Sequence, residues 1–230
     1  MPVMVTGICM GKVFFNGHRM IEIEILFRDS SIAVVNKPGG LLSVPGRGPG
    51  KQDCLSNRIK GMFPESIVQP SVHRLDMDTS GVMVFALTQD AHRNLSCQFR
   101  DRAVKKQYHA VLEGIVEKDR GEIRLPFRLD VENRPYQIYD PVHGKYGATL
   151  WEKLSEADGR SCILFTPLTG RTHQLRLHAS HPMGLGCPVA GDRLYGSGKP
   201  GDRLFLHASY ICFRHPESGM EMSFKCPPWF

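Results

Sequence analysis

The segment from His73 to Gly81 gathers side chains that could carry out chemistry. His73, Arg74 and Asp76 stand close together, and the small residues Thr79-Ser80-Gly81 follow before an apolar run. A loop held at the end of a strand is a common place for active groups. Asp76 could act as nucleophile, acid or base, and Arg74 offers a planar cation for a phosphate or for stacking on a base. An aspartate and an arginine in a turn often only pair with each other or cap backbone groups, so spacing alone leaves both interpretations open.

A second candidate is the run Thr169 to His178, which contains Arg171 and Arg176. We predict a helix over residues 171–180. A glycine before such a helix could let its first backbone N–H groups bind an anion. The alternative is that this run is a basic helix face in contact with solvent, which is the common outcome for an isolated cluster of charges.

The third candidate is Tyr108, in the run Lys105-Lys106-Gln107-Tyr108-His109. Here the structural alternative is an edge strand with an outward lysine and an inward tyrosine packed in the core. Tyr108 by itself therefore says little about function.

The elements that must position these segments are mostly strands, with a few helices between them. Alternating or continuous apolar residues predict the strands, and proline or glycine marks their ends. Short strand-like pieces separated by loops are expected between Glu122 and Phe165. This pattern predicts an α+β fold with a mixed, largely antiparallel sheet flanked by helices and loops. The other predicted strands are 21–26, 31–36, 82–87, 105–112, 204–211 and 220–225, and the other predicted helices are 54–63 and 89–102.

Composition favours a basic globular protein. The chain has 230 residues, 41% of them hydrophobic, and a formal net charge of +6, which mildly favours an anionic partner such as RNA. Its seven cysteines never form a C-x-x-C pair, so neither a disulfide framework nor a zinc site is expected. His173 and His178 are five residues apart, not the four of a helical metal pair. The sequence has neither a long apolar run nor a signal peptide, and we expect a cytoplasmic protein without a metal.

Taken together, the three segments resemble the RluA family of pseudouridine synthases. His73-Arg74-Leu75-Asp76 with Thr79-Ser80-Gly81 is similar to the family's catalytic loop, and Lys106-Gln107-Tyr108 to its tyrosine motif. The run from Gly170 to His178 is similar to its arginine motif. The stretches 35–42, 145–149, 191–196 and 203–208 are also family-like. The resemblance covers residues 21–230 in the family's order, and the ordered set is far more specific than any one motif.

The resemblance implies that the chain is an RNA pseudouridine synthase with the fold of that family and no cofactor. Residues 36–47, 133–135 and 223–225 resemble the branch that modifies both large-subunit (23S) rRNA and tRNA anticodon stem-loops. We expect one catalytic domain over residues 21–230, preceded by an extension over residues 1–20 and without the S4 RNA-binding domain of many relatives. A monomer is expected.

The resemblance also assigns roles to individual residues. Asp76 is implied to attack the sugar at C1′ or to remove a sugar proton to form a glycal, and Arg176 to be its ionic partner. Tyr108 is implied to pack against the target uracil and to help remove its C5 proton. Arg74 is implied to fill the space that the flipped base leaves. His73 and Arg171 are counted with Arg74 as substrate-binding residues.

Two other functions fit parts of the sequence. A non-catalytic RNA-binding or ribosome-assembly factor would explain the basic charge, but it would not require Asp76, Tyr108 and Arg176 together. A hydrolase could use Asp76 or Asp78 as acid and base. Release of free uracil would favour the hydrolase, and isomerisation without release would exclude it.

Overall fold

The computed structural model describes residues 3–4, 12–13 and 23–230. Asn16-Gly17 is a pair that favours a tight hairpin turn, so residues 1–20 could form either a short strand pair or a loose extension. This pair lies outside the described residues, as does most of the predicted extension over residues 1–20. In the part of the chain that is described, no helix is both long and apolar enough to cross a membrane. The six cysteines of that part all carry free thiols.

Three helices and twelve strands make up the described fold. The helices are α1 Leu55–Met62, α2 Gln89–Arg100 and α3 Gln174–Ser180, with a short 3-10 turn at Pro49–Lys51. The strands are β1 Val3–Met4, β2 Lys12–Val13, β3 Ile23–Arg28, β4 Ile32–Lys37, β5 Ser80–Ala86, β6 Lys105–Glu113, β7 Arg120–Leu129, β8 Gln137–Tyr139, β9 Lys145–Ala157, β10 Arg160–Pro167, β11 Leu206–Arg214 and β12 Glu221–Lys225. The predicted α+β class with a mixed, mostly antiparallel sheet is confirmed.

The chain divides into two compact units. The first comprises the described residues up to Lys106 together with Ala208–Trp229. Its strands follow the order β2-β3-β4-β5-β11, and β12 pairs with β11 and, in parallel, with β1. Helix α2 contacts β5. The unit encloses a core of fully buried side chains, among them Ile32, Leu55, Phe85 and Leu95.

Register in the first unit explains how the predicted catalytic loop is anchored. β4 and β5 are antiparallel, and Lys37 at the end of β4 lies opposite Gly81 near the start of β5. The turn after Lys37 and the loop before Gly81 therefore leave the sheet at the same edge. This register places the Pro38-Gly39-Gly40 turn beside the loop that carries Asp76.

The second unit comprises Gln107–His207 with Phe230. Its strands follow the order β6-β10-β9-β7-β8, all antiparallel, and α3 contacts β9. The hydrophobic core contains Phe127, Trp151, Phe165 and Leu175. The boundary between the units falls within β6 and within β11.

Most predicted elements are present with shifted ends, but the region from Glu122 to Phe165 differs. It holds two long strands, β7 of 10 residues and β9 of 13, rather than several short pieces. Pro126 is tolerated within β7. Its carbonyl accepts from the N–H of Asp140, and the N–H and C=O of one strand residue point to the same side. The N–H that proline lacks would therefore face Asp140, where the short β8 has already ended. The prediction of short strands is therefore wrong for β7 and β9.

Candidate active site

The predicted site residues lie in both units. The loop of the first unit carries His73, Arg74 and Asp76, and the second unit carries Tyr108, Arg171 and Arg176. Each group is built by its own set of local contacts.

The chain before Asp76 is held by two side chains that bond to backbone groups. Ser43 Oγ donates to the Leu75 carbonyl at 2.6 Å and accepts from the Leu75 N–H at 3.1 Å. His73 Nε2 accepts from the Val84 N–H of β5 at 3.1 Å. Leu75 itself is buried, with 5% of its surface exposed. These contacts fix the backbone on the N-terminal side of Asp76.

The chain after Asp76 is held by Lys37, a fully buried lysine. Its Nζ donates to the carbonyls of Met77 at 2.8 Å, Thr79 at 2.7 Å and Pro38 at 2.9 Å. Only the ammonium form has three N–H groups to make these three bonds. Burial lowers the pKa of Lys37 to about 7, and the negative charges of Asp78 and then Asp76 oppose that shift. Lys37 therefore braces the loop and also places a positive charge beneath its carboxylates.

Glycine is required where the loop rejoins the sheet. Gly81 has φ +116°, and a Cβ there would lie 2.2 Å from the Ala208 carbonyl oxygen. A second close approach comes from the turn after Lys37, where the Gly40 N–H donates to the Met77 carbonyl at 2.9 Å. Gly81 of the Thr79-Ser80-Gly81 motif is thus required for a close backbone approach near the candidate nucleophile.

His73 is a neutral structural contact in this unit. Its ring stacks on Phe99 of α2 with centroids 4.5 Å apart. Burial lowers the pKa of His73 to about 3, and the positive charge of Lys106 adds to the shift. The imidazole is therefore uncharged at neutral pH, so any contact of His73 with RNA must be made without a positive charge. The next residue, Arg74, has an exposed side chain, and Asp76 is half-buried.

Tyr108 lies on β6 of the second unit. It stands opposite Phe165 of β10 in the antiparallel register and packs, half-buried, against the hydrophobic core. The core thus fixes the position of the ring.

Arg176 forms a buried ion pair with Asp192. Its Nε and Nη2 donate to the two carboxylate oxygens at 2.7 and 2.6 Å, and the two side chains are 4% and 0% exposed. Burial would raise the pKa of Asp192, but the hydrogen bonds and charge of Arg176 outweigh it and hold that pKa below the usual value. Asp192 also accepts from the Leu194 and Tyr195 N–H groups. Asp192 therefore fixes the guanidinium plane and ties it to the turn at Leu194.

Tyr195 connects the arginine motif to the hairpin of β7 and β8. Its hydroxyl accepts from the Gln137 N–H at 2.9 Å and lies 2.8 Å from His173 Nδ1. Its ring centre lies 5.3 Å from the guanidinium carbon of Arg176, within cation–π range. His173 precedes α3 with φ 55°, a conformation that is uncommon outside glycine.

Helix α3 begins at Gln174, so Arg171 belongs to the turn before it. Arg171 is exposed, and its Nε donates to the Tyr146 carbonyl at 3.3 Å. Gln174 orders this turn, since its Oε1 accepts from Thr169 Oγ1 at 2.7 Å and from the Arg171 N–H at 3.0 Å. The predicted helix over residues 171–180 is therefore three residues too long at its start.

One sequence interpretation of the site is wrong, and several supporting residues were not predicted. The solvent-facing basic helix is wrong for residues 174–179, which are all buried. Sequence reasoning also missed the supporting residues Lys37, Ser43, Asp192 and Tyr195. All four lie in stretches that the resemblance marked, yet nothing in the pattern indicated their contacts. Within residues 23–230 and the two short strands before them, no three His, Cys, Asp or Glu side chains are grouped so as to hold a metal ion.

Comparisons with known proteins agree with this architecture. Residues 31–181 match the sequence model of a family described as RNA pseudouridylate synthase. Curated relatives named dual-specificity RNA pseudouridine synthase RluA include one from Yersinia pestis, 44% identical over 90% of this chain and 99% of its own. One from Escherichia coli K12 is 43% identical over 96% of this chain and its entire length.

Solved structures show the same fold. Human RNA Pseudouridylate Synthase Domain Containing 1 matches with a TM-score of 0.72 and 30% identity, over 89% of this chain and 83% of the human one. Human RNA Pseudouridylate Synthase Domain Containing 4 matches with a TM-score of 0.69 and 26% identity, over 89% and 88% of the two chains. The family match, the identity to curated synthases and the shared fold establish that this chain belongs to the RNA pseudouridine synthases.

Proposed function

We propose that this synthase isomerises specific uridines in two structured RNAs, 23S rRNA and the anticodon stem-loop of tRNA, with Asp76 as its nucleophile. The observation that carries the assignment of Asp76 is the support of its loop. Ser43 and His73 hold the backbone before Asp76, and the buried Lys37 holds the backbone after it. A nucleophile works best when its position is fixed before the substrate arrives.

The reaction needs one bond broken and another formed on the same nucleotide. The C1′–N1 glycosidic bond breaks, the uracil turns, and a new bond joins C1′ to C5. Asp76 either attacks C1′ or removes a sugar proton to give a glycal, and both routes need an ionised carboxylate. Formation of the C1′–C5 bond breaks the bond between Asp76 and C1′ or, on the glycal route, returns the sugar proton. The proton on C5 is then removed and N1 gains a proton, so atoms and charge balance without a cofactor.

Arg74 and Tyr108 are proposed to act on the target nucleotide. The uridine must leave its stack before the chemistry, and the exposed guanidinium of Arg74 can stack in the vacated space or bond to phosphate. Tyr108, half-buried with its ring seated on the core, offers a rigid face for the uracil and a hydroxyl for the C5 proton.

Arg176 is proposed as the third catalytic side chain, and His73 and Arg171 as substrate-binding residues. The bidentate pair with Asp192 keeps the guanidinium of Arg176 charged and oriented. Arg171 is exposed and suited to phosphate. His73 is neutral, so its contribution is to shape the loop and to offer a ring surface.

The finer parts of the proposal concern targets and setting. Dual specificity is proposed because the curated relatives are named dual-specificity synthases. In addition, residues 36–47 and 133–135 resemble the branch of the family that modifies both rRNA and tRNA. We propose that the protein acts as a monomer in the cytoplasm, where rRNA and tRNA are found.

The test is to incubate the purified protein with unmodified 23S rRNA and with unmodified tRNA, and to map pseudouridine on each. Product on both RNAs is expected. Product on one RNA only would end the claim of dual specificity. Binding to both without product would favour the alternative of a non-catalytic RNA-binding factor, and free uracil would favour a hydrolase.

A further inference from the structure

The turn between α2 and β6 carries an excess of cations. Residues 100–106 include Arg100, Arg102, Lys105 and Lys106, with Asp101 as the single carboxylate. Asp101 is already engaged, since Arg100 donates to its two oxygens at 2.8 and 3.2 Å. Throughout the described part of the chain, no carboxylate lies within 4.0 Å of the other three cations. The turn therefore presents three positive charges that the fold does not neutralise.

Lys106 is the most constrained of the three. Its side chain is half-buried, and its Nζ lies 5.9 Å from the centre of the Phe99 ring. Burial lowers its pKa, and no neighbouring carboxylate opposes that shift. An ammonium that has lost part of its hydration without gaining an acceptor is costly, unless an anion from outside the chain completes the site.

Arg102 occupies a position that suits glycine. It follows the C-terminal end of α2 with φ 59°, where its N–H donates to the Phe99 carbonyl and the next N–H, from Ala103, donates to Gln98. Glycine is the usual residue at this position of a helix end. The Arg102 side chain is exposed, so packing within the protein does not explain an arginine there. Strained backbone at such a residue is often associated with a functional site.

The turn lies against the catalytic loop within the same unit. Phe99, in the last turn of α2, stacks on His73 with ring centroids 4.5 Å apart, and Arg74 and Asp76 follow His73 directly. The positive charge of Lys106 acts on His73 strongly enough to help lower its pKa. An RNA strand with its target uridine at Asp76 would have its neighbouring phosphates within reach of this turn.

We propose that Arg102, Lys105 and Lys106 form a phosphate-binding surface for the RNA backbone that flanks the target uridine. This inference rests on the proposed function, because it takes Asp76 as the point where the uridine is bound. Phosphate is the fitting ligand because the surface offers only N–H donors and positive charge, and RNA supplies phosphates at regular spacing. Such contacts position the strand without reading its sequence.

The test measures RNA binding in an Asp76→Asn background, so that turnover does not alter the RNA. Dissociation constants for an unmodified anticodon stem-loop are determined over a series of KCl concentrations. Lys106→Met and Arg102→Gly should each weaken binding about tenfold. Each should also reduce the slope of log affinity against log salt by about 0.7–0.9, the value for one lost phosphate contact.

Arg93→Gln is the matched control, because it removes one positive charge from the exposed face of the same helix. It should leave the salt slope unchanged. Arg102→Gly should also raise Tm by about 2–4 °C, since glycine relieves the positive φ. A higher Tm for Arg102→Gly would show that its weaker RNA binding is not caused by a loss of folded protein.

Unchanged slopes for both Lys106→Met and Arg102→Gly would overturn the proposal. An equal loss in Arg93→Gln would also overturn it, by showing only a general effect of charge. Binding of polyglutamate as tight as that of RNA at the same salt would overturn the assignment to nucleic acid. An assay of wild-type product on the same stem-loop distinguishes failure of this surface from failure of the proposed function. Product together with unchanged slopes refutes only the phosphate-binding surface. Absence of product refutes the proposed function.

Discussion

Replacement of Asp192 by asparagine should destabilise the second unit strongly. The carboxylate is fully buried and holds Arg176 through two hydrogen bonds of 2.7 and 2.6 Å. Asparagine keeps the shape but removes the charge, so the buried guanidinium loses the two charge-assisted hydrogen bonds and the ionic attraction that Asp192 supplies. Loss of one partner of such a pair costs about 3–5 kcal/mol, or a fall in Tm on the order of 10 °C in a chain of this size.

Urea unfolding at neutral pH, followed by circular dichroism, measures the change in free energy of unfolding. Asp130→Asn is the control, because Asp130 is a partly exposed carboxylate that also accepts backbone N–H bonds, and it should cost less than about 1 kcal/mol. A double variant, Arg176→Met with Asp192→Leu, should be more stable than Asp192→Asn, because it replaces both partners of the buried pair by apolar side chains.

The pH dependence follows from the lowered pKa of Asp192. A carboxyl whose pKa is lower in the folded than in the unfolded state stabilises fully above its unfolded pKa of about 3.9. The stabilisation is lost as pH falls through the folded pKa. The difference between wild type and Asp192→Asn should therefore be largest near neutral pH and shrink below about pH 4. A cost for Asp192→Asn no larger than that of Asp130→Asn would refute the reasoning.

Three further predictions concern other parts of the site. Lys37→Met removes two hydrogen bonds to the Asp76 loop and one to the Pro38 carbonyl, and should lower the single-turnover rate on the order of 10–100-fold with little change in RNA affinity. An unchanged rate would contradict the bracing role. Tyr195→Phe removes the hydroxyl between Gln137 and the arginine motif, and should lower that rate about fivefold, whereas wild-type kinetics would make the contact incidental. His178 is fully buried, and burial and the charge of His181 lower its pKa to about 4. Folding therefore disfavours the protonated form. The stability of the fold is highest above about pH 6.5, the unfolded pKa of histidine, and falls as pH drops below that value. Unfolding at pH 7 and pH 5 should show a loss of about 2 kcal/mol that is absent in His178→Asn, and equal losses in both proteins would contradict it.

The elements with clear periodicity were predictable from the sequence. Strands β3 to β6 and helices α1 and α2 match their expected positions within a few residues, because their apolar patterns are bounded by proline, glycine or a change of period. Thr88, which caps α2 by accepting from the Ala91 N–H, is the residue type expected there. The three motif segments and the family were also predictable, and the comparisons confirm the family.

Glycines and prolines misled the prediction of the second unit. Gly121 and Gly147 suggest turns, but both lie inside long strands, where a Cβ would come within 3.0 Å of the Trp151 indole and 3.1 Å of Gln174. A glycine needed for close packing and a glycine needed for a turn look alike in one sequence. Only the tertiary partner distinguishes them.

The supporting contacts of the site could not be predicted for a related reason. Lys37 reaches across to carbonyls 40 and 42 residues away, and Arg176 pairs with an aspartate 16 residues later in an irregular segment. Neither partner shares a helix or strand period with the residue it binds. The burial of a charged side chain depends on the folded environment. From residue type alone, a lysine, arginine or aspartate is expected at the surface.

The most direct test of the central claim compares Asp76→Asn with Asp78→Asn on an unmodified tRNA and on 23S rRNA. Both variants remove one carboxylate from the same loop, and pseudouridine is mapped after single-turnover incubation at matched RNA occupancy. The account predicts no product with Asp76→Asn, binding intact, and clear product with Asp78→Asn. Substantial pseudouridine formed by Asp76→Asn would contradict the assignment of Asp76 as the nucleophile.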